Sequence, residues 1–403
     1  MQQSNLENIF EDFLNRSSVF INKDSLTIRY TPDNIPHRDL QINGIAKVLA
    51  PCLRLERPSN LFIYGKTGTG KTLVVQRVCH QLEALSLKKT VPLKVIYVNC
   101  KMRRVADTEY RLIAQLAKEV GQDVPATGLP TDEIYKVFFS AIDVKEQMIV
   151  IVLDEVDRLV KKAGDDVLYN LTRVNQELKK ARVSIVGISN DVTFTDDIDP
   201  RVKSSLNEEE MVFPPYDALQ IKDILLERAK IAFAEGAVGE TIAGKCAAYA
   251  ARDHGDARRA LDLLRVAGEL ADRDAKGVID ESYIDFAEEK IEHDNTFEVV
   301  KHLPTQSQLV LYSGLVLDSS GSKPFFTGDL FSIYYDFCSK IGLKPLTQRR
   351  VSDLIGELDM LGLFNAKVIS KGRYGRTREV KVGIHVSSLA KLRDLLESSL
   401  GFQ

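Results

Sequence analysis

Residues Gly65-Lys66-Thr67-Gly68-Thr69-Gly70-Lys71-Thr72 follow directly on the apolar stretch Leu61-Phe62-Ile63-Tyr64, and this run constrains the chain more than any other. The three glycines remove the Cβ atoms that would block a tight loop, so successive backbone N–H groups can converge on one anion. A helix opening near Lys71 adds the positive end of its dipole. Lys71 supplies a point charge for outer phosphates, and Thr72 offers a hydroxyl to Mg²⁺. Strand, glycine loop and helix in that order make a nucleotide phosphate loop, which Leu73 extends into the first helical turn. The bland alternative is a glycine turn that only caps a helix.

A second segment points the same way. Residues 148–153 are apolar throughout, too short to span a membrane and suited to a strand buried on both faces, and they end in Asp154-Glu155. In a nucleotide site Asp154 would hold Mg²⁺, while Glu155 would orient and deprotonate the attacking water. Alone, the pair also reads as a solvated strand end. Both polar groups, however, sit at the carboxyl ends of strands, where open parallel sheets bind ligands.

At 403 residues the chain is long enough for two or three domains, and 44% hydrophobic with 28% charged residues is a globular composition. No apolar run approaches the roughly 18 residues of a spanning helix, so a cytoplasmic protein is expected. The five cysteines are scattered without paired spacing, which argues against a disulfide framework or a thiolate metal site. A net charge of −3 excludes generalised attraction to nucleic acid, so any DNA contact must come from local basic patches.

Strand-like runs at 61–64, 94–99, 148–153 and 184–189 alternate with helical ones, which predicts an α/β fold with a parallel sheet. Pro214-Pro215 breaks the pattern. Helical periodicity follows, as in 218–233 and 256–270, and predicts a small helical domain. After Pro304 come three helical patterns and a hairpin with strands at 364–370 and 377–385, the order of a winged helix. The expected domains are 1–215, a nucleotide-binding base, 216–298, a helical lid, and 299–403, a winged helix. Near the amino end, residues 4–14 read as a capped amphipathic helix.

Two further positions bear on the chemistry. Asn190 follows the 184–189 run, and its amide there is able to hold water or a terminal phosphate, although Ser-Asn-Asp also reads as a plain turn. Arg258, in Gly255-Asp256-Ala257-Arg258, starts a helix of the helical domain and is either a surface arginine or a sensor reaching the phosphates.

Taken in order, GKTGTGKT, IVIVLDEVDRL, VGISND, DPRVKSSL, VFPPYDALQIKDILLERAKIAF and GDARRALDLLRVA resemble the archaeal replication initiators of the origin recognition and cell-division-cycle type, members of the AAA+ ATPases. The resemblance covers nearly the whole chain. It implies ATP or ADP with Mg²⁺ as cofactors, metal ligation by Thr72 and Asp154, Asn190 as first sensor and Arg258 as second. It also implies nucleotide contacts from Tyr30, Pro36, His37, Arg38 and Tyr216. Arg201 lies where the family presents an arginine to a neighbouring protomer, and Ser205 stands where related eukaryotic subunits often carry another. The implied partners are double-stranded origin DNA, the replicative helicase and other initiator paralogues, in a nucleoid-associated cytoplasmic setting.

The basic wing is legible without the family. Between positions 367 and 381 lie six basic residues against one acid, with Lys371, Arg373, Tyr374, Arg376 and Arg378 at or near the hairpin tip. A narrow cationic ribbon of this kind tracks phosphates or enters the minor groove; its bland alternative is a solvated hairpin used for protein contact. The preceding helix, 347–360, opens with Thr347, Gln348, Arg349 and Arg350 as base or phosphate contacts, while Val351, Leu354, Ile355, Leu358 and Leu361 are expected to face the core. A helical stretch at 124–137 resembles the initiator-specific insertion, where Val124, Leu129 and Pro130 are either a minor-groove wedge or core. The rival functions are a DNA-remodelling motor or clamp-loader-like ATPase, and a signalling ATPase with a regulatory winged helix.

Overall fold

The computed structural model describes residues 11, 16–27, 30–32, 34–101, 108–125, 128–191, 193, 198–206, 209–252, 255–318, 324–370, 376–384 and 386–402. The 4–14 helix reading lies almost wholly outside them. The chain divides into two compact units, Met1–Asp285 and Phe286–Gln403.

The first unit is built on five parallel strands, β1 (Leu61–Tyr64), β2 (Leu93–Asn99), β3 (Gln147–Asp154), β4 (Ala181–Ser189) and β5 (Glu209–Val212), in the order β2-β3-β4-β1-β5. Both faces of this sheet are covered. Ile149, Ile151 and Leu153 point to one core, while Met148, Val150 and Val152 point to the other. That double burial explains the uninterrupted apolar run of β3, since neither side of the strand meets water. Helices α1 (Asp39–Leu49) and α2 (Lys71–Lys88) close one face. On the other lie α3 (Glu109–Glu119), α4 (Thr131–Ile142), α5 (Val156–Ala163) and α6 (Asp166–Arg173). A short α7 (Pro200–Leu206) leads into β5.

The register brings the functional ends level. Tyr64 pairs with Ser189, and Asn99 with Asp154, so the phosphate loop, the acidic pair and Asn190 leave the sheet along one edge. Phe62 is in register with Gly187, and its ring covers that glycine so closely that a Cβ would come within 2.4 Å.

Past Pro214-Pro215, α8 (Ala218–Ala232), α9 (Glu240–Arg252) and α10 (Ala257–Arg273) form a helical layer. Asp217 starts α8 with a capping box completed by Gln220, and Asp256 caps α10 by accepting the Arg258 N–H. The amino-terminal segment packs on these helices: Phe20 stacks on Phe233 at 4.7 Å over Gly268.

The unit boundary falls within α11 (Glu281–Lys301). The second unit continues with α12 (Thr305–Asp318), β6 (Phe325–Phe326), α13 (Thr327–Lys340), α14 (Gln348–Met360), β7 (Phe364–Ser370), β8 (Arg376–Val382) and α15 (Val386–Leu400). Its antiparallel sheet has the order β6-β8-β7. Helices α12 to α15, a long hairpin and a short third strand around one core make a winged helix. Among the described residues no helix is long and apolar enough to cross a membrane.

Four readings of the sequence need correction. The fifth strand, β5, carries Glu209 and Glu210 and is held by pairing with β1 rather than by its own apolar pattern. The 124–137 stretch is not one helix: Pro130 is extended at ψ 148, and α4 begins only at Thr131. The second hairpin strand ends at Val382, three residues short of the expected end, although the Gly383 N–H still donates to the Leu363 carbonyl at 3.0 Å. Leu361 lies past the end of α14 and is 49% exposed, so it does not share the buried face.

Gly187→Ala should lower stability by about 1–3 kcal/mol, because the ring of Phe62 has no room to move in a sheet covered on both sides. Urea unfolding checks this; an unchanged midpoint would show that the β1–β4 contact is looser than described.

Candidate functional site

A cavity of 740 Å³ opens between the carboxyl edge of the sheet and the helical layer of the first unit. The phosphate loop forms its floor. Gly65, Gly68 and Gly70 all have positive φ (155°, 72° and 87°), and each is crowded from outside the loop. A Cβ on Gly68 would sit 1.8 Å from the Asp256 carboxylate, one on Gly70 2.9 Å from the Tyr216 hydroxyl, and one on Gly65 2.5 Å from the Phe213 carbonyl. Bare backbone is thus required both for the turn and for the approach of the helical layer. Asp256 also accepts from the Thr67 hydroxyl at 3.4 Å, which joins the loop to the start of α10.

Lys71 is 5% exposed and donates to the carbonyls of Gly65 and Lys66, both at 2.7 Å. Burial pulls its ammonium down to about 8, Asp154 opposes that shift, and the nearby Arg258 adds to it. A cation held this way gains from an anionic ligand. Next to it, the Thr72 hydroxyl donates to Asp154 Oδ2 at 2.9 Å, and Asp154 Oδ1 accepts the Glu155 N–H at 2.9 Å. Glu155 takes the left-handed conformation at φ 56°, a strained turn for a non-glycine residue at the end of β3, and its side chain lines the cavity.

Most candidates converge on this cavity: Tyr30, Pro36, Gly68 to Leu73, Asp154, Glu155, Asn190, Tyr216 and Arg258 all line it. Gly65, Lys66 and Thr67 do not. They shape the loop from beneath. His37 is turned to the outside, with Nε2 3.0 Å from Asp223. Arg201 lies apart from the cavity in a paired contact with Asp199, whose carboxylate it holds down to about 2.

Arg38 sits behind the loop rather than in the cavity. Its guanidinium is 2% exposed, donates to the Thr69 carbonyl at 2.9 Å and the Pro214 carbonyl at 2.7 Å, and lies 3.7 Å from the centre of the Tyr216 ring. Burial lowers its pKa, while contact with Tyr216 opposes the shift. It therefore clamps the phosphate loop to the segment entering the helical layer.

Sequence reasoning missed several groups. Arg228 donates to the Ser25 carbonyl and lies over the Tyr30 ring at 4.5 Å, on the apolar side formed by Leu26, Ile35, Ile224 and Ile231. Asp157 is 5% exposed and within 3.4 Å of the Ser189 hydroxyl and the Asn190 N–H. Tyr97, Asn99 and Gln76 line the cavity beside Asp154. The alternation of Tyr97 and Asn99 at the carboxyl end of a strand was the available signal.

In the second unit, Gln348 and Arg349 are exposed at the start of α14. The Thr347 hydroxyl is engaged as its cap, and Arg350 lies 3.3 Å from Glu357. Lys371, Arg373 and Tyr374 lie outside the described residues, as does the side chain of Arg376. The Arg378 guanidinium is laid across Gly356 of α14, 2.8 Å from where a Cβ would stand, so it is turned onto the helix and not outward. Val124 packs against a sheet core, the bland alternative of the two, whereas Leu129 and Pro130 are exposed.

Three family descriptions match the chain: an AAA domain at residues 54–191, a Cdc6 AAA+ ATPase-type lid domain at 222–289, and the CDC6 C-terminal winged helix domain at 298–391. The ORC1-type DNA replication protein of Thermococcus onnurineus is 54% identical over 388 residues, 95% of this chain and 93% of that one. This chain belongs to the ORC1-type DNA replication proteins. The ORC1-type protein of Pyrococcus furiosus is 51% identical over 405 residues, covering 100% of this chain and 95% of that one. Among solved structures, the Aeropyrum pernix ORC1 protein in complex with DNA superposes with a TM-score of 0.81 at 45% identity, covering 95% of this chain and 97% of that one. The chain is thus an AAA+ ATPase of the ORC1-type replication initiators, a family whose membership implies nucleotide binding.

Arg38→Met should cost on the order of 2 kcal/mol, because the buried Thr69 carbonyl loses a charged donor and the loop loses its tie to Pro214. Thermal unfolding without nucleotide reads this directly, and an unchanged midpoint would remove the clamp.

Proposed function

We propose that this ORC1-type protein is a slow, ATP-switched initiator that binds origin duplex through its winged helix and through the insertion between β2 and β3, and helps load the replicative helicase. We take its working parts to be residues 1–215, 216–298 and 299–403. The observation that carries this reading is the convergence of Lys71, Thr72, Asp154, Glu155, Asn190 and Arg258 on one cavity walled by Tyr30 and Tyr216.

The donor set fits a nucleotide with Mg²⁺. Thr72 and Asp154 are hard oxygen groups already in contact, and Lys71 is a buried cation partnered by carbonyls. When bound, the metal would neutralise charge on the phosphate oxygens. Lys71 and the loop N–H groups bind the phosphates, and Glu155 holds the attacking water and takes its proton. Asn190 orients that water by hydrogen bonding, steadied by Asp157. Arg258 reads the terminal phosphate from the helical layer, and Arg201 faces a neighbouring protomer. A protein that must hold one state gains little from rapid turnover, hence the slow hydrolysis.

DNA binding is supported by the relative solved with DNA and by the basic composition of the hairpin. Gln348 and Arg349 carry the major-groove role most directly, while Lys371, Arg373, Tyr374 and Arg376 serve the backbone or minor groove.

Lys71→Ala should abolish ATP binding in an equilibrium titration; affinity equal to wild type would refute the site. Glu155→Gln should bind ATP but not split it, and hydrolysis at the original rate would assign the base elsewhere. A footprint on duplex DNA, with ATP, ADP or neither, should show protection of one defined sequence. ATP-driven movement without a fixed footprint would favour a motor instead.

A further inference from the structure

We propose that Tyr97 is a positioning residue for the divalent cation of the nucleotide site, acting through its hydrogen bond to Asp154. The inference rests on the nucleotide reading above and assigns one residue to it.

Asp154 is 4% exposed and holds three donors. Its Oδ1 accepts the Glu155 N–H, and its Oδ2 accepts two hydroxyls, Thr72 at 2.9 Å and Tyr97 at 2.5 Å. A carboxylate oxygen offers two lone-pair directions, so both directions of Oδ2 are taken.

The Tyr97 hydroxyl has one hydrogen, committed to Asp154, and therefore can only accept from its other neighbours. Asn99 and Gln76 stand beside it in the cavity wall. The orientation of Asn99 is set independently, since its Oδ1 accepts the Lys101 N–H at 2.9 Å and its amide nitrogen is left to donate. Gln76 lies on α2, Tyr97 and Asn99 on β2 and Asp154 on β3, and the Tyr97 hydroxyl ties β2 to β3. All four side chains line the cavity.

Nothing in packing alone asks for the hydroxyl. The ring is 37% exposed on an edge strand, and phenylalanine fills the same space. What the hydroxyl adds is a fixed carboxylate plane. Groups that orient a metal ligand from behind typically govern metal affinity by about 10- to 100-fold.

The test is ADP affinity, by titration calorimetry on the full chain, across a Mg²⁺ series and in EDTA. Wild type should bind ADP more tightly as Mg²⁺ rises. For Tyr97→Phe, the Mg²⁺ concentration giving half of that enhancement should rise about tenfold, with affinity in EDTA within about twofold of wild type. A Tyr97→Phe midpoint within twofold of wild type overturns the proposal, whether or not its affinity in EDTA also changes. Failure of wild type to bind ADP at all would instead sink the nucleotide reading itself.

Discussion

The approach of the helical layer to a phosphate loop stripped of side chains is the contact on which the rest of the first unit depends. Gly68 touches the Asp256 carboxylate and Gly70 faces the Tyr216 hydroxyl, so loop and layer meet at distances that any Cβ would forbid. Asp256 also caps α10 through the Arg258 N–H, so the residue that touches the loop sets the start of the helix carrying Arg258. A change of loop conformation on ligand binding therefore reaches α10 without an intermediary. Glycine here serves two surfaces at once.

Charge is distributed to match. Lys71 and Arg38 are both buried and both partnered by backbone carbonyls, one facing the cavity and one behind the loop. For Lys71 the carbonyls satisfy hydrogen bonding and nearby carboxylates offset part of the burial cost, which leaves a cation facing the cavity that gains from an anionic ligand. Asp154, beside Lys71, and Asp157, near Asn190, have oxygens already engaged by hydroxyl and N–H groups. The arrangement is preorganised on both sides, so little side-chain entropy remains to be lost on binding.

Legibility in the sequence followed the physics of each element. The β3 run and the phosphate loop were readable because burial on both faces and a glycine-only turn each leave an unambiguous local pattern. β5 was not, because Glu209 and Glu210 gain their strand conformation from β1 and not from their own side chains. The roles of Arg38 and Arg378 were equally hidden: their neighbours, Thr69 with Pro214 and Gly356, are distant in sequence, and an arginine carries no local sign of whether it points inward. Val124 resolved the same way, since only the tertiary contact separates a core valine from an exposed wedge. Tyr97 and Asn99 left a trace, two polar groups two residues apart at a strand end, that gains meaning once Asp154 is known to lie in register beside them.

The central claim is that one nucleotide is gripped at once by the phosphate loop and by the helical layer. Amide hydrogen exchange, measured with and without ATP, tests it most directly. The account predicts that residues 65–73 and residues 255–259 gain protection together, at the same ATP concentration and with the same midpoint. Protection confined to the loop, with 255–259 unchanged at saturating ATP, would contradict it.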